Sequence, residues 1–578
     1  MAIINNSSGY TIPTSPEKSQ GKISHGFATP CQDRIPQILC IPPKRVLPIV
    51  FIPGIMGSNL RMSGERQRQL GQKNNISWRP DNSYVTVAQM DDTPLERQLR
   101  LDPDVTEVDS YDPENNSTGD LGESSDERNG TVRYSNGYFG YKRLDGPLLQ
   151  GDPPRTKNGR TQDQKARERG WGEVFFGSYQ HVLTMCEQKL NAAINNGVLN
   201  AYLENHVVGV DPSEWNAHPA HPIKEIDKKT ISDAVQGCWF PVHAMGYNWL
   251  KGNGVSGVII AKRIENLIKS YNDKGFQCEK VILVTHSMGG LVARAVIHPE
   301  IGDISEKILG VVHGVMPAMG AGAAYKRMRC GVESSGVLGN ISAGVLGDNA
   351  ADVTAVLASA QGALELLPNR AYGKHWLQLK RKKKVIKSWP ENCPYEEIYK
   401  IRGKWFGLFR EDLINPGRFD RRDFSNTITL LDRAKIFHEK IGDTYHDESY
   451  AHYGVDSDKK AWHKVVWEAD ENFEINEVDS LILIEDNKKG DLELIQPAIL
   501  KLEGPSASVD VKMLDAAEPG DETVPSHSAD AQLLSKKFKA IFRQTGYEHQ
   551  ERYSDSSAIA STMYSLIKII SNMKWSKL

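Results

Sequence analysis

Short apolar runs rich in β-branched residues punctuate this chain, separated by longer stretches whose apolar positions recur every three or four residues. Val46 to Ile52 is such a run and ends in Pro53-Gly54; Val281 to Val284, Ile308 to His313 and Phe538 to Arg543 repeat the pattern. Runs of this length bounded by turn residues predict buried strands. Helical spacing covers Trp171 to Leu190, Val255 to Tyr271, the segment after Gly290, and Ile559 to Met573. Glu397 to Ile401 and Val509 to Leu514 read as further strands, and Asn487 to Gly490 as a hairpin turn. Strands separated by helices in one long chain predict an α/β protein, with a mostly parallel sheet and helices on both faces.

Between these elements the pattern weakens. Residues 61–170 are rich in Asn, Asp, Gly, Arg and Pro and predict an irregular insertion with little core of its own. Residues 315–367 are rich in Ala, Gly and Val and predict close-packed cap helices or a lid. The expected division is a polar arm at 1–45, core at 46–60, a cap insertion at 61–238 and core at 239–330. A lid or cap follows at 331–395, a core strand within 396–403, a second cap at 404–507 and closing core at 508–578.

Composition narrows the class. Apolar residues make up 39% of 578 and no apolar run is long enough to cross a bilayer, so a globular protein is expected. A net charge of −3 gives no reason to expect nucleic acid as a partner. The seven cysteines include no CxxC pair, which argues against a disulfide framework or a zinc site. The first residues do not read as a secretory leader.

The chemistry centres on Thr285-His286-Ser287-Met288-Gly289-Gly290, set between a strand and a helix. This is the pattern of a nucleophile elbow, which exposes a serine hydroxyl on a sharp turn ahead of a helix N-terminus. Thr285 stands where glycine is usual. A serine needs a base, and the base needs a carboxylate to hold it in one tautomer. Gly520-Asp521-Glu522-Thr523-Val524-Pro525 offers Asp521 on a tight turn, with Glu522, Asp515 and Glu518 as rivals. Two histidines follow it. His527 shares the acid's loop, whereas His549 follows the last predicted strand, where the order serine, acid, histidine puts the base. An oxyanion needs two donors: the Met288 N–H, and an N–H from the loop Pro53 to Ser58, with Ile55 first and Met56 second.

FIPGIMGS, THSMGG and GDETVP, in that order, resemble the lecithin:cholesterol acyltransferase and PGAP1-like lipase branch of the α/β-hydrolases. RGWGEVFFGSY, VHAMGYNW, VVHGVMPAMGAGAAYKRMR and QGALELLPN further resemble bacterial lipase effectors of type VI secretion. That resemblance implies an α/β-hydrolase core with large cap insertions and a serine lipid esterase acting on membrane phospholipids. It also implies synthesis in a bacterial cytoplasm, delivery into a target cell's envelope, a secretion-spike component and a cognate immunity protein. The Ser-His-Asp chemistry needs no cofactor. An acyltransferase would share the same acyl-enzyme, and an inactive hydrolase-fold binding protein or an envelope amidase are further alternatives. Two secondary features stand apart. Lys380 to Lys384 is a basic cluster that either faces anionic headgroups in a peripheral membrane contact or is a solvated hairpin face. Gly442 to Gly454 gathers Asp443, His446, Asp447, Glu448 and His452, a candidate metal site without a recognised ligand spacing.

Overall fold

The computed structural model describes residues 43–133, 162–470, 478–496 and 508–576 apart from 116, 121, 196, 220–222 and 335, together with three short strands within 15–41. The predicted arm therefore lies largely outside the described residues. Six strands form the central sheet: β1 (Ile49–Ile52), β2 (Val242–Ala244), β3 (Val281–His286), β4 (Ile308–Gly314), β5 (Ser449–Gly454) and β6 (Phe538–Gln544). Their order is β2-β1-β3-β4-β5-β6 and every pairing is parallel.

Alternation along each strand explains why the runs are apolar throughout. Val50 and Ile52 of β1 and Val281 and Leu283 of β3 point to one face. There they meet helix α2 (Asn253–Asp273) and helix α3 (Gly289–Ile297). Ile49, Phe51, Ile282 and Val284 point to the other face. There they meet α1 (Phe176–Asn191) and α4 (Ser556–Ser571). A strand covered on both sides has no solvent face to make polar. Each aliphatic side chain so buried contributes about 1.5–3 kcal/mol relative to exposure. The fold is the α/β-hydrolase arrangement, with the elbow between β3 and α3.

The insertions are more structured than their sequence implies. Leu60–Met62, Ile76–Trp78 and Thr106–Val108 form a three-stranded antiparallel sheet. Trp78 and Leu101 are buried in the same core as α2 and α3, which corrects the expectation of an insertion with little core. A second six-stranded sheet lies outside the central one. It includes the hairpin Leu377–Arg381 with Lys384–Trp389, and the hairpin Ile482–Asp486 with Asp491–Ile495. The Lys cluster is the tip of the first, with Lys382 and Lys383 at φ 49° and 63°.

Two strand assignments need correction. Tyr395–Tyr399 is a single π-helical turn, so 396–403 holds no core strand. Its Tyr395, Ile398 and Tyr399 are buried because that turn packs inward; three apolar positions in five residues suit either geometry. The strand Ser508–Met513 exists but pairs within the second sheet. The central strands that sequence reading passed over are β2, only three residues long, and β5, Ser-Tyr-Ala-His-Tyr-Gly, inside the range assigned to the second cap.

Candidate active site

At the carboxyl end of β3 the chain turns sharply into α3. Ser287 takes φ 51°, the left-handed region that a residue with a side chain enters only under strain. Its N–H donates to the Gly314 carbonyl at 2.8 Å, which ties the turn to the end of β4. Gly289 is required by space: a Cβ there would lie 2.4 Å from the Ile52 carbonyl oxygen. Thr285, two residues before the serine, is fully buried and its carbonyl accepts from the Tyr553 hydroxyl at 2.8 Å. The β3 backbone therefore accommodates a side chain where glycine is usual.

Asp521 follows the short strand Glu518–Gly520, which pairs antiparallel with Asp456–Ala461 beyond β5. Its Oδ1 accepts from the N–H groups of Val524 (2.7 Å) and Thr523 (3.2 Å), so the turn itself fixes the carboxylate. His549 lies on the loop after β6, and its N–H donates to the Asp521 carbonyl at 2.9 Å. Its Nδ1 lies 2.9 Å from Asp521 Oδ2 and its Nε2 lies 2.8 Å from Ser287 Oγ. An ionised carboxylate only accepts, so Nδ1 carries the proton and Nε2 presents a lone pair to the serine hydroxyl. All three side chains are buried.

The structure thus brings Ser287, Asp521 and His549 into one hydrogen-bonded chain. His527 is placed elsewhere: its Nε2 donates to the Tyr372 carbonyl at 2.7 Å and its ring stacks on His463 at 3.9 Å. Glu522 pairs with Lys459 at 2.9 Å instead of meeting a histidine. Ile55 and Met56 line the same cavity as Ser287, and Met288 opens α3 beside it.

That cavity has a volume of about 440 Å³. Met328, Leu346, Leu357 and Leu366 give it an apolar wall, while Arg327 and Lys460 add charge. Arg327 Nε donates to Glu333 at 2.8 Å. Burial opposes the Glu333 charge, but Arg327 and Lys326 outweigh it and hold the carboxyl down at about 2. Two supporting residues escaped sequence reading. Trp78 Nε1 donates to the Met56 carbonyl at 2.6 Å, holding that residue at φ 58°. The Tyr247 hydroxyl donates to the Pro53 carbonyl at 3.0 Å. No local motif marks either one.

The candidate metal site does not assemble. Among the described residues no three His, Cys, Asp or Glu side chains converge to hold an ion. The loop's carbonyls face a guanidinium instead: Arg294 donates to Ile441 (2.5 Å), Gly442 (2.9 Å) and Thr444 (3.1 Å).

The fold is that of an α/β-hydrolase, and residues 255–314 match the PGAP1-like alpha/beta domain. The chain is similar to one in the crystal structure of the Tle4–Tli4 complex. The TM-score is 0.69 at 29% identity, over 92% of this chain and 99% of that one. No curated protein matches the sequence.

Proposed function

We propose that this protein is a serine esterase that hydrolyses acyl ester bonds of membrane phospholipids. The observation that carries the reading is the unbroken chain from Ser287 through His549 to Asp521, at 2.8 and 2.9 Å, opening on a largely apolar cavity. Ser287 Oγ attacks the ester carbonyl while His549 Nε2 takes its proton. His549 returns that proton to the leaving alcohol, and Asp521 orients the ring and stabilises its cation. The Ile55 and Met288 N–H groups bind the oxyanion, and the N-terminus of α3 favours the negative charge. Water, deprotonated by His549, then releases the fatty acid.

The likeness to a chain solved in complex with a second protein supports a wider role. In this reading the enzyme is made in a bacterial cytoplasm and delivered by type VI secretion into a rival's envelope. A spike component carries it and a cognate immunity protein guards the producer. Mass spectrometry of mixed phospholipid vesicles, incubated with wild type and Ser287→Ala, tests the chemistry. Fatty acid and lysophospholipid released by the wild type alone are expected; equal release by both would end the assignment. Adding a lipid alcohol to the same vesicles separates hydrolysis from acyl transfer.

A further inference from the structure

We propose that Tyr179 and His286 are positioning residues, joined in one hydrogen-bonded relay that sets both the base and the oxyanion loop. The proposal rests on the roles assigned above to Ser287, His549 and the Ile55 amide.

The direction of the relay follows from donor and acceptor counting. His286 is fully buried, and burial, followed by the neighbouring His549, pushes its imidazole well below the usual histidine range. It is therefore neutral and carries one N–H. Its Nε2 lies 2.9 Å from the His549 carbonyl oxygen, which only accepts, so the proton is on Nε2. Nδ1 then holds a bare lone pair, and the Tyr179 hydroxyl, 3.1 Å away, donates to it. The Tyr179 oxygen is left as an acceptor, and it takes the Gly54 N–H at 3.3 Å and, from the loop of the base, Gln550 Nε2 at 3.4 Å. The relay reads Gly54 N–H to Tyr179 O–H to His286 N–H to His549 carbonyl.

Its two ends are the parts that must be placed. One end is the residue before Ile55; the other is the backbone of the base. These partners are 125, 107 and 263 residues apart in sequence, so no local turn holds them together. Tyr179 sits on α1 with its ring 4.8 Å from that of Phe51 on β1, and both are buried. A Cβ on Gly54 would lie 2.8 Å from His286 Nδ1, so loop and ring already touch. Tyr179 also fixes the tautomer. Without its hydroxyl, Nδ1 is free to carry the proton, and the His549 carbonyl then faces a second lone pair.

The test is the rate at which a fluorophosphonate labels Ser287, measured beside kcat, KM and thermal unfolding. Labelling needs no lipid and reports the activated serine directly. Tyr179→Phe keeps the ring and removes one oxygen. Labelling and kcat are expected to fall together by about tenfold, with KM nearly unchanged, as for a misplaced catalytic group. His286→Leu should fall further. His286→Gln, whose amide N–H reproduces the Nε2 donor, should recover part of the loss. Folded Tyr179→Phe and His286→Leu that label at the wild-type rate would overturn the proposal. If Tyr179→Phe fails to fold, His286→Gln and His286→Leu decide: equal labelling rates overturn the relay, and faster labelling of the Gln variant supports it. A folded wild type that does not label refutes the serine reading itself, and the relay with it.

Discussion

The floor and the roof of the cavity are held by different chemistry. The floor, where β3, β5 and β6 end, is set chiefly by hydrogen bonds around buried neutral rings, with the Arg552 guanidinium as a buried cation bonded to His452 at 2.7 Å. His452 at the end of β5, like His286, is pushed well below the usual histidine range by burial, and His313 on β4 is pushed down to about 3. Asp521 is the carboxylate that meets the base. The roof, built by 322–367 and the second sheet, is fastened by ions. Arg329 meets Asp486 at 2.8 Å with both side chains buried, and Glu333 sits between Lys326 and Arg327. Groups that stay neutral hold their geometry across a wide pH range. Buried ion pairs are specific, but removing one partner strands the other.

The comparison predicts that floor variants change chemistry and leave stability nearly intact, and that roof variants do the reverse. The largest effect is expected for Ser287→Ala: ester hydrolysis should fall by about 10⁴-fold or more, with the unfolding midpoint unchanged. His549→Ala should come close to it. A variant of either that hydrolyses a short-chain ester normally would break the assignment. Next comes the roof. Asp486→Ala leaves Arg329 buried without its counter-ion and should lower unfolding free energy by about 3–5 kcal/mol in urea melts. A loss below about 1 kcal/mol would show that ions do not fasten the cap.

Glu365 sharpens the contrast because it is buried in the roof without a cation. It accepts from the Asn253 N–H at 2.7 Å and Gln361 Nε2 at 2.8 Å, and burial, against these bonds, pushes its carboxyl up to about 7. The folded state then keeps this proton longer than the unfolded chain does. Stability is lost as pH rises from the ordinary carboxylate value to about 7, and stays lost above it. Glu365→Gln should remove that loss, raising stability by up to about 3 kcal/mol at about pH 8 and by little at about pH 4. Melting curves at the two pH values check the sign. The smallest effect belongs to His527→Ala, which removes a stacked ring and one hydrogen bond to Tyr372. Activity should stay within about threefold of wild type, since the group touches neither the serine nor the acid.

What was legible in the sequence was what is local. The elbow, the Asp521 turn and His549 each sit in a short motif whose residue types are dictated by their own backbone: a crowded turn, a carboxylate on a tight loop, an imidazole after a strand. The parallel sheet was legible for the same reason, because strands covered on both faces read as unbroken apolar runs. The exceptions have physical causes. β5 is buried, yet it spells Ser-Tyr-Ala-His-Tyr-Gly; Ser449 Oγ donates to the His446 carbonyl and His452 Nε2 is bonded to Arg552 and Thr562, so partners inside the protein meet these polar groups. Tyr179, Trp78 and Tyr247 act across 22 to 194 residues of chain and leave no spacing to read.

The order in which the site's parts are made has a consequence of its own. His549 lies 262 residues beyond Ser287. A ribosome therefore extends the chain by that length after the nucleophile before the group that activates it exists. Until then the emerging polypeptide carries a hydroxyl no more reactive than any other serine. A cut between Gln544 and His549 would shed the histidine and disarm the chain just as completely, and it would also strip α4 from the sheet face that it covers.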